Sequence, residues 1–461
     1  MPVSMRFAAT DIVRMISFSI AVLMPLPAAA FNFNAQCAEP GPGSSNQRIA
    51  TPSTLAALIN SAQPGDAIAL TTGNYGHVVL NRSFAGFVTV QSAPGQRPVL
   101  ASLQIRGGPW AVRGLIVEGV SSAIQGGAAP LWGNWPSHDS LVKIDNANNV
   151  MFEGNLVASS EAPFPWKQEF PGVPDPQGPS SGIHAGNSSC VSIAYNNIYN
   201  VFNGIEVSGD QVGSNGKYFV IIGNKIDNFA GDGIDHSVSY ALIKNNSITN
   251  NHGICGDVCV HSDGIQGWNY NNLSGIINYD ITIDSNTIIS QNVPSLPMPS
   301  DNLQGITIFD GFWSGVNILN NVVVSNTYHG ISLYGVTGLA VINNTVAADR
   351  SGISSWIGVG GTSHQGGISS NIIVRNNIAP YMYVANTLPR VVGLEVDHNS
   401  FGADPKSLFY AYDPVNYAFD LHLLPGSSAI GQGSPNLAPP FDHDGVPRSG
   451  AINIGAYQTP K

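Results

Sequence analysis

Four carboxylates, Glu206, Asp232, Asp235 and Asp263, are the candidate catalytic groups of this chain. Asp232 and Asp263 each stand immediately before a Gly-Ile dipeptide, and Glu206 and Asp235 each stand immediately after one. If these dipeptides are equivalent points of a repeating coil, Asp232 and Asp263 share one column and Glu206 and Asp235 the next. Neighbours in a column then lie one strand spacing apart, about 4.8 Å. Carboxylates one or two such spacings apart fall in the range, about 5 to 9.5 Å, in which a pair can cleave a glycosidic bond. Crowding raises the pKa of one member, which stays protonated as the acid while the other remains ionised. The competing uses of the same side chains are Ca²⁺ binding and satisfaction of backbone amides at turns.

The elements that must hold these acids are visible as two ladders. Gly-Ile recurs at Gly182, Gly204, Gly233, Gly264, Gly305, Gly330 and Gly352, with a closest spacing of 22 residues from Gly182 to Gly204. A second pattern, apolar-x-x-Asn-x-apolar, places asparagines at Asn155, Asn196, Asn224, Asn246, Asn286, Asn321, Asn344, Asn376 and Asn399. Between the ladders run short β-branched segments such as Val220-Ile221-Ile222 and Ile281-Thr282-Ile283, too short for helices. A repeat of this length with variable insertions predicts one turn of a solenoid per unit. Asn suits a corner because its amide bonds turn backbone, tolerates a left-handed conformation and can bond a stacked copy of itself. The Ile of Gly-Ile is expected to point inward.

Alignment on Gly-Ile predicts two outward columns. The residue before Gly runs Ser181, Asn203, Asp232, Asp263, Gln304, His329, Ser351; the residue after Ile runs His184, Glu206, Asp235, Gln266, Thr307, Ser332, Ser354. Acids gather in the middle and both columns fade to Ser. Long insertions at Glu161–Ser180, Asn251–Ser262, Trp268–Tyr279 and Gln291–Asn302 flank the central coils and would wall a groove. With Phe312 and Trp313 they supply Trp166, Trp268 and Tyr270, aromatic faces on which sugars stack. Each of these taken singly is better explained by a small core under a loop; as a set beside a carboxylate floor, a sugar platform is as good a reading.

Composition narrows the function classes. Only 10% of the 461 residues are charged, too few to coat long solvent-facing helices, so an all-α fold is excluded. A hydrophobic content of 43% excludes global disorder. The net charge of −11 leaves no basic face for a nucleic acid. Arg6 and Arg14 precede an apolar run from Met15 to Leu26 that ends in Ala28-Ala29-Ala30, which reads as a secretory signal over residues 1–30 rather than a membrane anchor. Export permits disulfides. His252, Cys255, Cys259 and His261 are metal-ligand types, but all four within ten residues is cramped for zinc. A local Cys255–Cys259 bridge is favoured, which leaves Cys37 with Cys190, one of the three connectivities that four cysteines allow.

The ladders resemble the right-handed parallel β-helix of the pectin-lyase-like superfamily, over roughly residues 45–400. Leu55–Ala62, Pro64-Gly65-Asp66, the strand Ala67–Leu70 and Gly73-Asn74-Tyr75 look like its capping helix and first coil. Ser427–Gly431, Asp442-His443-Asp444-Gly445, Arg448 and Gly455-Ala456-Tyr457 are similar to a closing segment of secreted β-helices. The resemblance implies an all-β fold: a signal peptide at 1–30, a single-stranded right-handed parallel β-helix at 31–400, and a C-terminal capping segment at 401–461. It also implies that the Gly-Ile strands form the sheet that floors a substrate cleft.

Asp232-Gly233, Asp263-Gly264 and His329-Gly330-Ile331-Ser332 resemble the column of the polygalacturonase family. Ser262-Asp263 replaces that family's Asp pair, Gln304 adds a coil, and its Arg-x-Lys is missing. Asp235-His236-Ser237 and Asn251-His252-Gly253-Ile254 are similar to uronate lyases and mannuronan epimerases, which need a cation beside the substrate carboxylate. Neither central column carries Lys or Arg; Lys167, Lys225 and Lys244 lie in a wall loop or on a neighbouring sheet, and Ca²⁺ could supply the charge instead.

The expected function is a secreted enzyme cutting a polysaccharide in an open groove. Asp235 and Asp263 form the acid/base pair, and Asp232 and Glu206 support them. His184, His236, His261, Gln266, Trp268, Gln304, Asp310, Trp313 and His329 are the expected substrate-binding residues. Ca²⁺ is the one cofactor under consideration. A lyase or epimerase and a non-catalytic glycan-binding protein remain open beside hydrolysis.

Overall fold

The computed structural model describes residues 33–38, 46–119, 140–159, 181–208, 216–252, 262–269, 275–294, 302–350, 353–385 and 391–458. The expected signal peptide, Trp166, Tyr270, Cys255, Cys259, His261 and most of the long insertions lie outside these residues. Among the described residues no helix is long and apolar enough to cross a membrane.

A representative coil contributes the strands Ile234–Ser237, Ser239–Lys244 and Ser247–Asn251, one to each of three sheets. Every strand pairs in parallel with its equivalents in the coils before and after. Among the described residues the first and second sheets run on as one 22-stranded ladder, and the third has 12 strands. Short β-branched strands suit this arrangement because each residue faces either the interior or the outside with period two. The inward stack of the first sheet is Ile183, Ile205, Ile234, Ile265, Ile306, Ile331 and Ile357, fully buried and in register.

The Gly of each Gly-Ile has a packing cause. A Cβ on Gly264 would lie 2.5 Å from Ile288 Cγ2 and 2.9 Å from the Gly305 carbonyl oxygen; on Gly305 it would lie 2.0 Å from the Gly330 carbonyl oxygen. The backbones of successive coils crowd at the corner between the third and first sheets, and only hydrogen fits there. The last member of the predicted series differs. Gly352 lies outside the described residues; Ile331 pairs with Ile357, so Ile353 does not continue the inward stack, and the strand there is Trp356–Gly360.

The asparagine ladder joins the second sheet to the third. Each side-chain Oδ1 accepts from the backbone N–H and the Nδ2 of the asparagine one coil earlier, from Asn155–Asn196 through to Asn377–Asn399. The rung after Asn344 is Asn377 rather than Asn376. The left-handed residue is the one before each rung, as at Asn245, Ser285, Asn320, Asn343 and Asn376 itself. Ladder asparagines are thus chosen for the stacked amide and not for backbone conformation.

The helix Leu55–Ser61 buries Leu55 and Ile59 at the N-terminal end of the core. Beyond Phe401 the chain leaves the coil for the helix Pro405–Leu408 and the antiparallel pair Phe409–Asp413 and Ala418–Leu423. This tail folds back over the third sheet, packing Leu408, Leu421 and Tyr457 on the outward-facing Val322, Val324 and Ile378. Half-buried Arg448 anchors it, donating to Asn320 Oδ1 and the Ala456 carbonyl.

Cys37 and Cys190 form a disulfide across a sequence separation of 153, tying the segment Phe33–Ala38 to the second sheet. The paired replacement Cys37→Ser/Cys190→Ser is expected to cost about 2–4 kcal/mol through the lost restriction of the unfolded chain. Thermal unfolding with and without reductant checks this; coincident curves would show that the bridge holds only the terminal segment.

Candidate active site

The outer face of the first sheet carries the acids. Register places His184, Glu206, Asp235, Gln266, Thr307 and Ser332 in one outward column, as expected. Asp263 and Gln304 are paired in the adjoining column, and Gly233 N donates to the Asp263 carbonyl, which puts Asp232 one coil before Asp263. Asp232 Oδ1 accepts from the Asp263 backbone N–H at 2.8 Å, and the Asp232 N–H donates to Asn203 Oδ1 at 2.8 Å. Thr307 Oγ1, a coil further on, donates to Asp263 Oδ1 at 2.6 Å. Two of the acids are therefore oriented by neighbours in the coils beside them.

Asp235 and Asp263 are both buried. Burial pushes the Asp235 carboxyl well above the usual carboxylate range, and the negative charges of Asp232, Glu206 and Asp263 push it the same way. This site can hold a proton on one carboxylate beside others that lack one. Gln266 and Gln304 flank the acids, and Gln304 Oε1 is a buried acceptor with no protein partner among the described residues. His184 lies 3.9 Å from Glu206 Oε1 and is hydrogen-bonded to Ser208 Oγ.

A family model described as a right-handed beta helix region matches residues 180–346, the coils that bear these acids. The chain is a right-handed parallel β-helix. No curated protein matches it in sequence. Solved structures of similar course include a pectate lyase, 13% identical with a TM-score of 0.43, covering 91% of this chain and 97% of that one. An alginate lyase from Paenibacillus is 17% identical with a TM-score of 0.41, covering 77% of this chain and all (100%) of that one. An exopolygalacturonase from Yersinia enterocolitica is 12% identical with a TM-score of 0.43, covering 78% and 79%. At such identities and TM-scores the likeness assigns no chemistry to this chain.

Several residues expected on the groove of the β-helix lie elsewhere. His236 follows the outward Asp235 and therefore points inward, in register with Val207 and Gly267. Its ring is fully buried against Trp313, with centroids 5.3 Å apart, and burial lowers its pKa to about 3, so it is a neutral core residue. Trp313 is also core, at 2% exposure, and its indole lies 3.3 Å from where a Gly267 Cβ would be. Ile308, 2.8 Å from that point, and the indole together fill the space that the missing side chain of Gly267 leaves. Asp310 faces a corner loop, where its Oδ1 accepts from His364 Nδ1 at 2.8 Å and its carbonyl accepts from Trp313 Nε1 at 2.6 Å. His252, one of the metal-ligand types noted in the sequence, is buried with its Nε2 donating to Asn228 Oδ1 at 2.6 Å. Trp268 does lie on the groove side, 41% exposed.

Two groups of groove residues escaped the sequence reading. Lys143 precedes His184 in the acid column, three spacings or about 14 Å from Asp235; its coil has no Gly-Ile and so was not aligned. On the C-terminal side the columns become aromatic instead of fading to Ser. His329 pairs with Trp356, Trp356 with Tyr381, and Gly358 with Tyr383. His329 itself is hydrogen-bonded to Ser332 Oγ, which also accepts from Trp356 Nε1.

Ca²⁺ takes six to eight oxygen ligands. Among the described residues no three His, Cys, Asp or Glu side chains are grouped to hold a metal ion.

Proposed function

We propose that this β-helix is a polysaccharide-degrading enzyme that hydrolyses a glycosidic bond on the outer face of its first sheet. The observation that carries the reading is a buried Asp235 crowded by Asp232 on its own coil and by Glu206 and Asp263 on the coils before and after. In this reading Asp235 is the acid: its retained proton goes to the glycosidic oxygen as the leaving group departs. Asp263, held by Thr307, is the second carboxylate; it either activates a water or attacks the anomeric carbon. Asp232 orients Asp263 through its backbone N–H. An open face many coils long suits a polymer rather than a small sugar, and Gln304 Oε1 offers a buried acceptor to a sugar hydroxyl. The Cys37–Cys190 bridge fits a protein working outside the reducing cytosol.

The test is digestion of neutral and uronate polysaccharides, following reducing ends and ultraviolet absorbance together. Hydrolysis gives reducing ends without an unsaturated chromophore; a rise in absorbance would show β-elimination and overturn the carboxylate mechanism. Asp263→Asn is expected to fold normally, because the amide can still accept from Thr307, and to lose about a hundredfold or more in rate. Normal turnover with a lowered melting temperature would mark Asp263 as structural.

A further inference from the structure

The acid-bearing coils continue into an aromatic surface. A third outward column follows the inward residues of the first sheet, and by register it runs Ser208, Ser237, Trp268, Phe309, Tyr334. Trp268 is on the coil of Asp263 and Gln266, so the aromatics begin beside the acids. Phe309 and Tyr334 stack with centroids 5.4 Å apart at 27°. Trp356 and Tyr383 stack at 4.9 Å and 20°, and Tyr328 lies 4.7 Å from Trp356. From the strand Ser262–Gly267 to the strand Tyr381–Ala385 the tract spans four spacings, about 19 Å. It is not a closed satellite core, since Tyr328 is 53% exposed.

Charge on the same sheet is one-sided. The first-sheet strands from Ile205 to Ala385 contain no Lys or Arg, while Glu206, Asp232, Asp235 and Asp263 all lie on them or at their edge. A polyuronate laid along these strands would bring its carboxylates against like charges with no Lys or Arg on them to meet it, since Lys143, in the same column, lies three spacings from Asp235. An uncharged sugar has no such cost, and its apolar ring faces match flat aromatic side chains.

We infer that Trp268, Phe309, Tyr328, Tyr334, Trp356 and Tyr383 form a run of sugar-stacking subsites that extend the acidic groove and select a neutral glycan chain. This deepens the hydrolase reading, on which it rests for the direction of the groove, by naming the class of substrate. Ser332, fully buried, is hydrogen-bonded to His329 and Trp356 and so fixes both rings within the tract.

Binding separates this inference from catalysis. Affinity electrophoresis of the Asp235→Asn protein through galactomannan, xyloglucan, mixed-linkage glucan and dextran, with polygalacturonate and alginate as the charged set, reads association without turnover. At least one neutral glycan is expected to retard the protein, and neither polyuronate should. Trp356→Ala and Tyr334→Ala should each weaken that retardation by about tenfold. Tyr328→Ala, at an exposed ring whose loss leaves no core cavity, should weaken it without moving the melting temperature. Stronger retardation by a polyuronate, no retardation by any neutral glycan, or aromatic variants that bind like the parent would each overturn the inference. If Asp235→Asn instead keeps full turnover, the catalytic assignment fails while the binding result stands.

Discussion

Asp235→Asn is expected to abolish most turnover and at the same time to make the protein harder to melt at neutral pH. The rate loss should be about a hundredfold or more, because an amide cannot deliver the proton that leaving-group departure requires. The stability gain follows from linkage. The folded-state pKa of Asp235 is raised, by burial first and by Asp232, Glu206 and Asp263 next. The folded protein therefore holds a proton that the unfolded chain releases near the ordinary carboxylate value of about 3.9. That contribution is fully present below the unfolded pKa and is lost as pH rises toward and through the raised folded one. The melting temperatures of parent and variant should nearly coincide at about pH 4 and separate steadily toward about pH 8, with the variant higher. Activity of the parent should fall on the alkaline side as Asp235 loses its proton. A variant that melts lower than the parent at every pH would mean that Asp235 is an ionised, hydrogen-bonded structural group, and the proposed acid would be wrong.

The acid columns could be read from sequence because the Gly-Ile dipeptide reports a steric fact. Where two coils approach within about a hydrogen's width, a glycine is required, and the residue two places on must face out. That is why Glu206, Asp235, Gln266 and Thr307 fell into their observed column. The same period-two rule puts His236 inside, since it follows an outward residue, so its burial was legible too. Trp313 was harder: its indole fills space left by Gly267, a residue distant in sequence, and no local pattern announces such a pairing. The register failed after Ser332 because the next coil enters its strand at Ser355-Trp356, without Gly-Ile. That slip hid Trp356 and Tyr383 and made the groove look featureless at its C-terminal end. Burial of Asp263, which depends on several coils at once, had no single-residue signal.

Asn286→Ala should be among the most destabilising single replacements in the molecule, with activity unaffected except through loss of folded protein. Asn286 sits mid-ladder and is fully buried. Its Oδ1 accepts from Asn246 N and Asn246 Nδ2, and its Nδ2 donates to the Ile243 carbonyl and Asn321 Oδ1, all at 2.9 to 3.0 Å. Alanine strands each of those groups in the interior, and one buried group left unsatisfied costs about 1–3 kcal/mol. Allowing for relaxation, a loss of about 4 kcal/mol or more is expected. Asn399→Ala is the informative control. Asn399 ends the ladder, half-buried, accepting from Asn377 while its Nδ2 donates only to the Val374 and Asp397 carbonyls. Water can reach the groups it leaves, so that loss should be nearer about 1–2 kcal/mol. Asn286→Asp should be at least as damaging as alanine, because a carboxylate oxygen would face the two acceptors that Nδ2 now serves. Urea unfolding of the three variants gives the order directly. Equal losses at Asn286 and Asn399 would mean that the stacked amides act only as local turn bonds, and that register between coils is set by the crowded glycine corner instead.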